Sequence, residues 1–274
     1  MRIGLTPEDL AASQRLADTW PTPVAARPRL YGIGTGKSGT NALASLFTGI
    51  PTAHEPEPEP VIHAVLDYAA GRSDWRSLQK LVLDRDRRLA LSVDVSNLNI
   101  FLVDLLLHVS PDSRFVLTIR DCYSWLDSLL NHYLRIPPTA AWRAFADWRF
   151  QSGQFSYPTG EQILEEKGLY TLGGYLSYWT AHVSKALAAV PADRLLIVRT
   201  DQIADRALEI AAFGGFGPAQ IAADGIHEYR NPHKQRIVQE IPVAHLQEQV
   251  NTHCGSLMQR FFPEIGSPAD AGLH

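Results

Sequence analysis

The run Leu30-Tyr31-Gly32-Ile33-Gly34-Thr35-Gly36-Lys37-Ser38-Gly39-Thr40-Asn41-Ala42-Leu43 starts as a short apolar strand, passes through four glycines and becomes a helix near Thr40. A glycine-rich turn lets backbone N–H groups converge on an anion, and a helix N-terminus adds the positive end of its dipole. Lys37 adds a full positive charge, and the hydroxyls of Ser38 and Thr40 add donors. The run therefore reads as a phosphate cradle. A nucleoside-triphosphate cradle has the spacing Gly-x-x-x-x-Gly-Lys-Ser/Thr. Here only three residues separate Gly32 from Gly36, and Tyr31 stands where the first glycine belongs. The triphosphate reading is one residue out of register.

Working outward, the chain has 274 residues, enough for one large domain or one domain with additions. Its 45% hydrophobic and 20% charged residues suit a globular enzyme. The net charge of -4 and pI near 6.2 argue against a nucleic-acid partner. Two cysteines, Cys122 and Cys254, make no disulfide framework. Neither they nor the ten histidines show metal-ligand spacing, so no metal is expected. No apolar run approaches the roughly 20 residues of a membrane span. The first residues are polar, with Glu8 and Asp9, unlike a secretory signal. A cytoplasmic location without a membrane partner is expected.

Residues Thr6 to Trp20 read as a helix with Pro7 at its first position. Residues 1–28 are expected as an N-terminal arm that covers an edge or packs on a neighbouring subunit in a homodimer. Residues 29–265 are expected as the single main domain and 266–274 as a tail. After the cradle helix, Pro51 to Pro60 alternates prolines with acids, which argues against helix and central strand and, at Glu57 and Glu59 but not Glu55, for an extended acidic surface linker. Val61 to Ala70, Ser73 to Arg88 and Asn99 to Val109 read as helices, with a strand over Leu89 to Val95. Arg114 to Ile119 is a buried strand, and Tyr123 to Arg135 a helix ended by Pro137-Pro138. A helix over Thr139 to Gln151 precedes a loop. Glu161 to Ala189 is mostly helical, with a bend expected at Gly173-Gly174. A strand over Arg194 to Arg199 follows, then helices over Ala204 to Phe213 and Val243 to Phe262. Strands alternating with helices give an α/β fold with a central parallel sheet flanked by helices. In such sheets ligands bind beyond the carboxyl ends of the strands.

A second candidate anion site is Arg120-Asp121-Cys122-Tyr123-Ser124-Trp125-Leu126-Asp127-Ser128. Arg120 closes a buried strand, and Ser128 lies about two turns into the following helix. A guanidinium fork and a hydroxyl there can grip a phosphate. The Lys37-Ser38-Gly39-Thr40 order resembles the 5′-phosphosulfate loop of sulfotransferases that use 3′-phosphoadenosine 5′-phosphosulfate (PAPS). A strand, then Arg-Asp, then a serine eight positions after the arginine, resembles their 3′-phosphate motif, with Cys122 replacing the usual proline. The resemblance runs from about Arg29 to Phe262. It includes Leu91 to Phe115, Gly168-Leu169-Tyr170 with Trp179, Arg194 to Asp201, and Phe213 to Phe216.

This resemblance implies a fold like the P-loop-containing nucleotide hydrolases and a PAPS-dependent sulfotransferase (EC 2.8.2 type). The product nucleotide would be 3′-phosphoadenosine 5′-phosphate (PAP), and the acceptor a hydroxyl of a soluble small molecule. It assigns Gly36, Lys37, Ser38, Gly39, Thr40 and Asn41 to the 5′-phosphate, with Lys37 also at the bridging oxygen. Arg120 and Ser128 take the 3′-phosphate, joined by Lys234 and Arg236 from a late basic loop. In several groups of the family a Glu-Pro pair after the cradle helix supplies the base, and Glu55-Pro56 resembles it. His54 is the competitor, since histidine is the base in cytosolic relatives. Pro56 biases Glu55 towards extended backbone. The segment Ser92 to Asn97 lacks the lysine that assists transfer in some relatives. Asp94 there either caps a strand end or touches the acceptor or the base. Trp142, Trp148 and Tyr157 are acceptor-pocket candidates, against a plain packing role for aromatic residues. Two other readings compete: a P-loop kinase or other nucleoside-triphosphate enzyme, which needs a correctly spaced cradle and a metal-holding aspartate, and an inactive nucleotide-binding module.

Overall fold

In the computed structural model of the chain, which describes residues 29–222 and 235–273, the apolar run before the glycines is strand β1 (Leu30–Gly32), buried along its whole length. The cradle leads into helix α1 (Thr40–Ser45), then strand β2 (Thr52–His54) and helices α2 (Pro58–Ala69) and α3 (Trp75–Leu89). Strand β3 (Val93–Val95), helix α4 (Asn99–Val109) and strand β4 (Arg114–Ile119) follow. Helices α5 (Cys122–Arg135), α6 (Ala140–Arg149), α7 (Gln162–Glu166) and α8 (Leu172–Ala189) come next. Strand β5 (Leu195–Arg199) and helices α9 (Ala207–Phe213), α10 (Ile237–Glu240) and α11 (Val243–Phe261) complete the described chain.

The strands form one sheet of five in the order β2-β3-β1-β4-β5, every pair parallel. Leu30 lies opposite Val93 on one side and Arg114 on the other. A parallel sheet covered by helices reads as continuous apolar runs, which is why Arg114 to Ile119 was legible as a strand. One apolar core joins Val93, Val95, Val116 and Val198 of the strands to Leu43, Leu46 and Phe47 around α1 and to Ile210 and Ala211 of α9. Side chains alternate across a strand, so Asp94 and Tyr31 face the other way, and Tyr31 stacks on Phe115. Arg29, just before β1, grips Asp86 of α3 with Nη1 at 2.5 Å and Nη2 at 2.8 Å.

The described residues divide into two compact units, 29–119 with 185–222, and 120–184 with 235–273. The first holds the whole sheet. In the second, Trp125, Leu130, Phe145, Phe150, Tyr175, Leu176 and Trp179 are buried together with Val250 and Cys254 of α11. The guanidinium of Arg149 is enclosed by rings, 4.6 Å from the Phe150 centroid and 4.9 Å from that of Phe145, and donates to the Tyr133 hydroxyl at 2.5 Å. Cys122 and Cys254 are free thiols, and burial pushes the Cys122 thiol well above its ordinary pKa. In residues 266–273 Leu273 is buried, and the Tyr123 hydroxyl donates to the Gly266 carbonyl at 3.4 Å. The arm of residues 1–28, including the expected helix from Thr6, lies outside the described residues.

Two expectations are corrected. The Pro51 to Pro60 run is not a linker: it supplies edge strand β2 and the first turn of α2, with Pro58 at its first position. Proline lacks only an N–H that a first turn leaves unbonded anyway, so it tolerates this place. Gly173-Gly174 does not bend a helix either. The break falls earlier, at residues 167–171, where Gly168 takes φ 65°, and both glycines lie inside α8.

Packing at the end of β1 is tight. A Cβ on residue 34 would lie 2.0 Å from Thr118 Oγ1 and 2.6 Å from both Ser38 Oγ and the Thr118 carbonyl oxygen. Gly34→Ala is therefore expected to destabilise by about 1–3 kcal/mol, the usual cost of overpacking. Urea denaturation measures it. An unchanged midpoint would show that the cradle is looser than this geometry.

Candidate active site

The cradle is braced from below. The Ser38 side chain is buried, its hydroxyl donates to the Thr35 carbonyl at 2.7 Å, and it lies 3.1 Å from Thr118 Oγ1. Its backbone N–H also donates to Thr35 O, at 3.1 Å. Ser38, expected to offer its hydroxyl to a phosphate, thus spends both donors inside the loop and shapes it instead. Thr200 Oγ1 lies 2.7 Å from the Ser38 carbonyl oxygen and 3.0 Å from that of Ile119, within donating reach of each. Gly39 is the N-cap of α1 at φ 90°, and a Cβ there would meet Ile203 Cδ1 at 2.6 Å. It has no side chain to cap the helix, so the first N–H groups of α1 receive no side-chain partner. Lys37 sits on the same turn, half-buried, at φ 73°.

Beside the cradle stands a fixed carboxylate. Glu55 follows β2 directly, and its N–H donates to the Val95 carbonyl at 2.8 Å. Its Oε1 accepts from the Asn97 N–H at 3.0 Å and from Asn97 Nδ2 at 2.7 Å, and its Oε2 accepts from Ser96 Oγ at 2.5 Å. Asn97 is buried, and the Ser96 N–H donates to the Gly32 carbonyl at 3.1 Å, so the segment that holds the carboxylate also bonds the strand entering the cradle. Asn97 Oδ1 is left buried without a hydrogen-bond partner. His54 Nε2 lies 3.0 Å from Thr40 Oγ1. Crowding around its ring pulls the imidazole below its ordinary pKa, and the Lys37 charge adds to this while the Glu55 carboxylate opposes it. Sequence reasoning missed Ser96 and Asn97, although two polar residues just past a buried strand were the available signal.

In the second unit, Arg120 is the first residue after β4, and its orientation is built locally. Asp121 caps α5, accepting from the Ser124 N–H at 2.8 Å and from the Ser124 hydroxyl. Arg120 Nε donates to Ser124 Oγ at 2.8 Å, and Trp179 Nε1 donates to the Arg120 carbonyl at 3.2 Å. Asp121 thus reaches the guanidinium through a serine, a role its sequence position alone did not reveal. Ser128, one turn beyond Ser124 on α5, is half-buried. The Gln235 N–H donates to Asn131 Oδ1 at 2.6 Å, which sets the end of the basic loop beside the same helix. Arg236 is exposed there at φ 51°, while Lys234 lies outside the described residues.

The remaining candidates divide. Asp94 does not cap a strand end: it stands in the middle of β3, buried and paired with Arg85 of α3 at 2.8 Å. In the second unit, the Tyr157 hydroxyl donates to the Leu169 carbonyl, and burial raises its pKa. Trp142 is half-buried, its ring edge-on to Phe145. Asn41 is exposed on α1. Among the described residues no group of three or more His, Cys, Asp or Glu is placed to hold a metal ion, and no helix is long and apolar enough to cross a membrane.

Comparison with known proteins gives the family and the fold. Residues 32–202 match the sulfotransferase domain family. A crystal structure of a sulfotransferase from Alicyclobacillus acidocaldarius covers 86% of this chain and 94% of its own, with a TM-score of 0.50 at 15% identity, a likeness of fold. The Ava biosynthesis cluster protein M of Aspergillus versicolor is 29% identical over 103 residues, which are 35% of this chain and 40% of that protein's length. The glycine turn from Gly32 onward, Glu55 and Arg120 fall within the matched residues 32–202, and the chain belongs to the sulfotransferase family.

Proposed function

We propose that this chain moves the sulfuryl group from PAPS to a hydroxyl of a soluble small molecule. The observation that carries the reading is the Glu55 carboxylate held by Ser96 and Asn97, with Ser96 also bonded to the Gly32 carbonyl where the glycine turn begins. The donor's 5′ end suits a loop with no Cβ at residues 34, 36 and 39, a lysine on the turn and an uncapped helix start. Lys37, with the backbone of Gly36, Gly39, Thr40 and Asn41, is assigned to the phosphosulfate. Arg120 and Ser128 are assigned to the 3′-phosphate, with Lys234 and Arg236 supporting them. The fungal relative's name refers to a biosynthesis cluster, which fits a small-molecule acceptor.

The chemistry assigned to this chain's residues is brief. Glu55 takes the proton of the acceptor hydroxyl as that oxygen bonds to sulfur. The bond from sulfur to the bridging phosphate oxygen breaks, and Lys37 balances the charge left on that oxygen. Holding acceptor and donor in line lowers the barrier further, and no step needs a metal ion.

Two measurements test the reading. PAP should raise the melting temperature by linkage to the folded state, and AMP, lacking the 3′-phosphate, should bind far more weakly. Arg120→Ala should cost roughly 2–5 kcal/mol of PAP affinity, as for a lost buried charge contact. Equal affinity for PAP and AMP, or stabilisation by ATP with Mg²⁺ but not by PAP, would overturn the assignment. Secondly, Glu55→Gln should keep PAP binding and lose about 10²–10⁴-fold in turnover. An active Glu55→Gln beside a dead His54→Ala would move the base to His54.

A further inference from the structure

The turn that carries Glu55 is strained. Glu55 has φ 48° and Glu57 φ 50°, both left-handed and neither a glycine. The proline between them favours extended backbone at residue 55, so the expected extended Glu55 is not what forms. Two such residues in one turn persist only where the surroundings over-determine them. Those surroundings are one face of α3. Arg85 Nη2 donates to the Pro56 carbonyl at 3.3 Å. One turn on, Arg88 grips Glu57 with both branches, Nε to Oε1 at 3.0 Å and Nη2 to Oε2 at 2.5 Å. That fork holds the Glu57 carboxyl below the usual carboxylate range.

Arg85 is itself fixed. Its Nη1 pairs with Asp94 Oδ2 at 2.8 Å, and the two side chains are only 6% and 8% exposed. Asn99 Nδ2 donates to Asp94 Oδ1 at 3.2 Å. A buried ion pair is poor value as a stabiliser, since an apolar pair of similar volume commonly does as well. An apolar pair cannot donate to the Pro56 carbonyl. The charge in the middle of β3 is thus explained by what Arg85 does next to the carboxylate.

We propose that Asn99, Asp94, Arg85 and Arg88 form a clamp that holds the Glu55-Pro56-Glu57 turn in its left-handed conformation, making Arg85 and Arg88 positioning residues for Glu55. The catalytic purpose of the clamp rests on reading Glu55 as the base; its mechanical action does not.

The test uses Arg85→Lys, which keeps the charge facing Asp94 but loses the second branch, and the exposed Arg88→Ala, which folds even if the first does not. Amide hydrogen exchange on the full chain should rise at least about tenfold at residue 55, whose N–H donates to the Val95 carbonyl, in both R85K and R88A, with β1 and α4 unchanged. Turnover of PAPS with 2-naphthol as acceptor probe should fall roughly 10- to 100-fold in R85K at constant KM for PAPS. R85K should add nothing in an E55Q background, because both changes act through one carboxylate. Unchanged exchange in both variants, or a rise spread evenly over the sheet, overturns the clamp and needs no acceptor to observe. Full turnover by E55Q overturns the base assignment instead, whatever the exchange shows.

Discussion

Residue 34 and Thr118 of β4 approach so closely that a methyl group does not fit between them. That contact lets the chain leaving β1 fold across the strand end instead of running on, and it puts Ser38 Oγ within reach of Thr118 and the Thr35 carbonyl. The glycine turn is thus rigid before any ligand arrives. Its inner donors are consumed by the scaffold, and the N–H groups at the start of α1 are left without a side-chain cap. Preorganised donors cost no rearrangement when charge develops, which is what transfer from a phosphosulfate asks of a protein.

The sheet order extends the same logic. β3 lies between β1 and β2, so the end of β3 can serve both neighbours. Ser96 donates its N–H to the Gly32 carbonyl and its hydroxyl to Glu55, while Asn97 donates both its backbone N–H and its side-chain amide to Glu55. Buried polar groups are costly unless bonded. Here they are concentrated where the three strands end, and most are accounted for by holding one carboxylate. The exception, Asn97 Oδ1, is a buried acceptor facing no protein donor.

Much of this was legible in the sequence, and the failures have physical causes. The cradle, the strand before Arg120 and the parallel α/β class followed from glycine spacing, β-branched runs and alternation of elements. α4 and β4 fell where their apolar pattern placed them. The Pro51 to Pro60 run was misread because proline's exclusion from helix interiors does not extend to a first turn. The partner of Asp94 was not legible, because Arg85 lies on another element and long-range ion pairs leave no local signature. Glu55 as a candidate base was visible from its Glu-Pro neighbour. The donors that hold it, and the left-handed turn beneath it, depend on register between β2 and β3, which only the folded chain supplies.

Sulfuryl transfer and proton removal by Glu55 can be tested together. The most direct measurement incubates the purified protein with PAPS and a pool of hydroxyl-bearing small molecules, followed by mass spectrometry of both nucleotide and pool. The expected result is stoichiometric release of PAP with one pool member gaining a single SO₃ unit, and loss of that product in Glu55→Gln. PAP release with no sulfated member, equal in Glu55→Gln, would contradict it, because water would then be the acceptor and the fixed carboxylate would have no part in the chemistry.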